Sequence, residues 1–234
     1  MELISLDTGR STWLFPTEEF LPLEVPDGMS LIQSVAVRYD FKIFPEKPSR
    51  EDIDKNGLKF GLGSFDFEGV KVGVTDFVAY NDGIVAVSNT TERATAFLED
   101  ATRFLISELK FRRPVSTIKK VNVSTLTVEL SESVNTLFAQ QAKLFSLVGE
   151  YLNAPLGSRH PTEVSRLDIS LDDSTTGAQS VRPRLILEAR NTVPLSRRRY
   201  YSNAAMHTKA HLELLGKIED AFMHPSTSIS GPRA

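Results

Sequence analysis

Four residues, Tyr80-Asn81-Asp82-Gly83, constrain this chain more than any others. Asn, Asp and Gly supply the backbone angles that a tight hairpin demands. The runs on either side, 70–80 and 83–88, then read as two antiparallel strands, with a further strand near 58–67. The clearest alternation lies at 33–44. There Val35, Val37, Tyr39, Phe41 and Ile43 interleave with Ser34, Ala36, Arg38, Asp40 and Lys42. Period two places the first set on one face and the second on the other. One apolar and one polar face is the pattern of antiparallel sheet, because covered parallel strands are apolar on both sides.

Helical spacing takes over after the hairpin. Asn89 is expected to cap a helix, with Glu92 completing the capping pattern. Ala94, Phe97, Leu98, Ala101, Leu105 and Leu109 then share one face through about 110. The basic, Pro-containing connector 111–118 marks a boundary. It divides the chain into an N-terminal α+β half (1–112), a C-terminal α+β half on the same sheet or core (113–225) and a flexible tail (226–234).

The second half predicts a strand at 119–130 and a helix at 132–153 capped by Ser131. That helix carries the stripe Val134, Leu137, Phe138, Leu144, Val148, Tyr151 and Leu152. Strands follow at 163–171, 181–190 and 197–202, with a hairpin loop at 172–180. A last helix, 204–223, takes Ser202 or Asn203 as cap and Met206, Ala210, Leu214, Ile218 and Phe222 as its stripe.

The halves echo one another. Arg38-x-Asp40 matches Arg166-x-Asp168, Ser88-Asn89 matches Ser202-Asn203, and Ala96-Phe97-Leu98-Glu99 aligns with Ala210-His211-Leu212-Glu213. The fold class expected is α+β: a curved antiparallel sheet of about eight strands, helices on one face, from a duplicated β-α-β-β-β-α unit. At 234 residues the chain can build its core without staples.

Several function classes find no support. The chain has no cysteine, which removes disulfides, thiol nucleophiles and thiolate metal sites. No run is long and apolar enough to span a bilayer, and residues 1–5 carry no secretory pattern, so a cytoplasmic setting without membrane contact is expected. His207 and His211 stand four apart on the last helix, but no Glu follows His207 as zincin chemistry needs, and no metal or cofactor is assigned. No Gly-x-Ser-x-Gly elbow or phosphate loop is present. Asp66/Glu68 and Asp172-Asp173 fit ordinary turns and strands, so no catalytic residue is assigned. Gly61 and Gly63 sit on one face with Phe65 and Phe67. They point to sheet curvature or to a cleft where something lies on bare backbone.

Two features suggest binding. Residues 181–201 hold Arg182, Arg184, Arg190, Arg197, Arg198 and Arg199 against one acid, Glu188, and Tyr200 and Tyr201 adjoin them. Arginine offers a planar fork to phosphate and tyrosine a stacking face. Arg38, Asp40, Arg166 and Asp168 would share the polar sheet face. That face reads three ways: ion-paired and solvated, a protein interface, or a phosphate or nucleic-acid surface. The second feature is an N-terminal arm with Trp13, Leu14, Phe15 and Phe20, which buries itself in its own core or on a partner. Residues 1–56 carry 11 acids and 6 bases, opposite in sign to the arginine segment. The leading expectation is a non-enzymatic binding or assembly subunit of a larger complex, with a protein partner or a second copy. Its alternatives are a nucleic-acid or phosphate module and a small-molecule pocket between sheet and helices.

Overall fold

The computed structural model describes residues 1–21, 28–46, 55–131, 134, 142–156, 164–170, 183–190, 193–194 and 197–223. Within them the chain runs β1 (Glu2–Leu14), α1 (Gly28–Arg38), β2 (Leu58–Phe67), β3 (Val70–Tyr80), β4 (Gly83–Ser88) and α2 (Thr91–Ser107). It continues through β5 (Lys119–Glu129), α3 (Ala142–Asn153), β6 (Arg166–Ser170), β7 (Arg184–Ala189), β8 (Arg199–Ala204) and α4 (Thr208–Met223). The strands form an open antiparallel sheet of eight in the order β2-β3-β4-β1-β5-β8-β7-β6. The α+β class is therefore as expected, and so is the hairpin, where Tyr80 pairs with Gly83 across the turn.

The described elements run β-α-β-β-β-α twice. Strand order repeats as well: β1-β4-β3-β2 in one half and β5-β8-β7-β6 in the other. Duplication is a proposal that rests on this order of elements. By contacts the chain divides into two compact units, Leu6–Thr125 with Ala205–Thr208, and Met1–Ser5 with Leu126–Ala204 and Lys209–Ala234. The division falls inside β1 and β5, and after Thr208, the first residue of α4.

In the N-terminal unit, residues 33–38 are helix, not strand. Ile32, Val35 and Ala36 are buried at helical spacing, whereas Val37, which a strand would place beside Val35, is 82% exposed. Val35 and Tyr39 satisfy both periods, being four apart. The chain leaves the helix through Asp40 at φ 51°. Phe41 then lies on β2, where a Cβ on Gly63 would come within 2.4 Å of its ring. The bare backbone at Gly63 is thus filled by the chain itself. Helix α2 supplies Ala94, Phe97, Leu98, Ala101 and Leu105 to the same core. Phe97 is its centre, with the rings of Tyr39, Phe77 and Phe65 at 4.9, 5.3 and 5.4 Å. Such edge-on pairs add about 0.5–1.5 kcal/mol each beyond buried area. The cap of α2 is Thr90, one residue after the expected Asn89; its hydroxyl accepts from Arg93 N–H.

The N-terminal arm is strand β1, followed by a short 3-10 turn at Thr17–Glu19. Trp13, Phe15 and Phe20 are buried in the core of this unit. The first residues of α2 and α4 also meet here. Thr208 N–H donates to Thr91 Oγ1 at 2.7 Å, and Thr91 N–H to Thr208 Oγ1 at 3.0 Å. Each hydroxyl thereby satisfies an orphan N–H at the start of the other helix.

In the C-terminal unit, Leu126 and Val128 of β5, Leu185 and Leu187 of β7, and Tyr200 and Ala204 of β8 are buried. Helix α4 adds His211, Leu215 and Glu219. This stripe is rotated by one residue from the expected one, so Ala210 faces outward and Leu214 is only half-buried. Ser202 and Asn203 belong to β8 and do not cap the helix. Helix α3 is described from Ala142. Leu137 and Phe138, the loop 172–180 and the tail after Pro225 lie outside the described residues.

Candidate functional site

The arginine-bearing strands do present one polar face. Register places Arg166 opposite Glu188 and Glu188 opposite Tyr201, and cross-strand partners share a face. Arg166 reaches Asp168 at 3.0 Å and Glu188 at 3.4 Å. Arg199 meets Glu129 at 3.1 Å. Arg190 donates to Thr127 Oγ1 at 2.9 Å and lies over the Tyr201 ring, 5.1 Å from its centre. Tyr200 is buried, its hydroxyl accepting from Val134 N–H at 3.2 Å. Arg198, at φ 51°, offers its carbonyl to Leu130 N–H. Arg184 and Arg197 are exposed, and Arg182 lies outside the described residues. Arg166, Arg190 and Arg199 are thus occupied by contacts inside the chain, each exposed ion pair contributing at most about 1 kcal/mol.

The partner motif in the first half does not join them. Arg38 ends α1, 3.9 Å from Asp100 and above the Phe104 ring, and Asp40 sits in the loop beyond. Helical backbone at 33–38 removes both from any sheet face and dissolves the match with Arg166-x-Asp168. The match at Ser88 and Ser202 has a structural counterpart: the first hydroxyl donates to Gly73 O at 2.7 Å, the second to Ile186 O at 3.1 Å. Of the expected interface set, Trp13, Phe15 and Phe20 are buried in the core of the N-terminal unit, while Leu14 reaches the surface.

His207 and His211 part company. His207 is exposed, 3.1 Å from Asn122 Nδ2, and His211 is fully buried. Among the described residues no group of three or more His, Cys, Asp or Glu is arranged to hold a metal. His211 instead forms a Ser–His pair that no sequence spacing revealed: Nε2 lies 2.8 Å from Ser202 Oγ. Ser202 gives its proton to Ile186 O, so it accepts from the imidazole. A nucleophile would donate to the ring, and would be open to substrate. This pair does neither. Burial lowers the His211 pKa to about 4. Two turns on, burial would raise Glu219, but hydrogen bonds from the terminal amine of Met1 and from Ser131 outweigh it and hold the carboxyl below its ordinary value.

The surface that stands out is α3. Leu144, Leu147, Val148, Tyr151 and Leu152, at i, i+3, i+4, i+7 and i+8, are 40–76% exposed. That is the spacing of a core-facing stripe, laid open. On β6, Ile169 is 53% exposed. It pairs with the buried Leu185, so it belongs to the apolar face of this sheet. Monomeric surfaces rarely carry apolar groups this concentrated. Comparison with known protein families, curated proteins and solved structures finds no match to this chain. No helix among the described residues is long and apolar enough to cross a membrane.

Proposed function

We propose that this chain is a non-enzymatic assembly subunit that docks through α3 in its C-terminal unit, with a second copy of itself as the partner. The exposed stripe Leu144–Leu147–Val148–Tyr151–Leu152 carries the reading. Helix α1, the second element of the first β-α-β-β-β-α set, buries the same kind of stripe in its own core. A helix in that place is therefore one that a fold can cover. The C-terminal unit also leaves Ile169 uncovered on the apolar side of β6. One chain thus offers an apolar helix and an apolar sheet margin, and reciprocal exchange of α3 between two copies covers both. Such an exchange is isologous and closes as a two-fold dimer. The ion-paired face of β6, β7 and β8 then forms a polar rim. A cytoplasmic setting belongs to the same proposal and rests on the cysteine-free composition.

Sedimentation equilibrium tests this. The wild-type chain should run at twice 26.0 kDa at micromolar concentration. Leu147→Glu should run as a folded monomer, because that side chain is already exposed and its change costs the fold little. A monomeric wild type at tens of micromolar, or a variant that still dimerises, would refute the proposal.

A further inference from the structure

A cavity of about 200 Å³ lies in the N-terminal unit between α1, α2 and strands β2–β4. Ile32 and Val35 of α1, Phe60 of β2 and Phe77 of β3 form its walls, with Phe20 and Phe111 beside them. Among the described residues its polar lining is Thr17, Tyr80 and Asn81, and none of the described lining residues is charged. Tyr80 and Asn81 are exposed, as is the neighbouring Leu21, so the opening is on their side. We propose that this cavity is a binding site for a small neutral aromatic molecule, a fused bicycle of the indole class with one hydrogen-bond donor.

Three observations set the class. Size comes first. An apolar cavity of about 150 Å³ holds a benzene ring, so a third more space suits two fused rings. Shape follows from the lining. Phe60 stacks on Phe77 at 5.7 Å between centres and Phe20 tilts against Phe111 at 5.0 Å, so ring faces and edges are on offer to a flat guest. A neutral guest is favoured because an ion would find no charged partner among the described lining residues and would enter at a large desolvation cost. At the opening, the Thr17 hydroxyl donates to Asn81 O at 2.5 Å, which commits its proton and leaves its lone pairs to accept. The guest therefore places an N–H or O–H donor there.

The described lining residues all belong to the N-terminal unit, whereas α3 belongs to the C-terminal unit. The test is titration of the full chain, with labelled Ile, Leu and Val methyl groups, against indole. Saturable shifts are expected at Ile32, Val35 and Ile84, and weak or no shifts with indole-3-acetate, which carries a charge. Ala79→Phe fills the cavity from β3 and should weaken indole binding about tenfold or more. If that variant does not fold, Ala79→Leu fills it in part and should weaken binding by a smaller, measurable factor. Absence of saturable shifts in the wild type overturns the site on its own. Tighter binding of octan-1-ol or of indole-3-acetate than of indole overturns the class of ligand.

Discussion

The hydroxyl proton of Ser202 goes to the Ile186 carbonyl, and this fixes what His211 can be. It donates through Nε2, and its Nδ1 is buried with no partner among the described residues. Protonating that nitrogen would place a charge in the core with nothing to receive it. Folded His211 therefore titrates near pH 4, against 6.5 in an unfolded chain. Between those values the unfolded state binds more protons, so stability is complete above pH 6.5 and falls as pH drops toward 4. The loss is about 3 kcal/mol at most. Glu219, also held below its ordinary value, acts with the same sign at still lower pH. Denaturant midpoints at pH 7, 5.5 and 4 should show this slope, and His211→Leu should flatten its upper part. An unchanged slope would show that His211 is not its source. Polar residues at core positions also explain what the sequence hid. The inward face of β1 is Gly9, Ser11 and Trp13, and that of α4 includes His211 and Glu219, so apolar periodicity reports neither correctly.

Among elements, α1 is the instructive case. Positions 35, 39 and 43 recur every four residues, and that spacing belongs to strand and helix alike. Position 37 separates them. In a strand Val37 joins Val35 in the core; in the helix it points outward. Val37→Lys should therefore shift stability by about 0.5 kcal/mol or less, whereas Val35→Lys should cost several kcal/mol by burying an unpaired charge. Thermal unfolding of the two variants checks this, and equal losses would contradict the helix. Elements whose period has one reading were legible: the β3–β4 hairpin from its turn residues, and α2 from Ala94, Phe97, Leu98, Ala101 and Leu105. The arginine segment was legible as one polar face of β7. Its partners, such as Glu129 for Arg199, come from a distant strand and leave no mark on local spacing.

At the scale of the molecule, the repeated β-α-β-β-β-α order makes one difference conspicuous. The helix after the first strand is buried in one set and open in the other. No local signal distinguishes them, because both stripes have helical spacing; burial is decided by what the rest of the chain places opposite. The assembly proposal turns on this asymmetry, and the chain's lack of cysteine allows a direct test. A Leu152→Cys/Ile169→Cys chain would be treated with a short bismaleimide and resolved on a denaturing gel. Reciprocal exchange of α3 predicts a covalent dimer from the double variant, and no such yield from either single variant. A link confined to one chain, or no link at all, would contradict it.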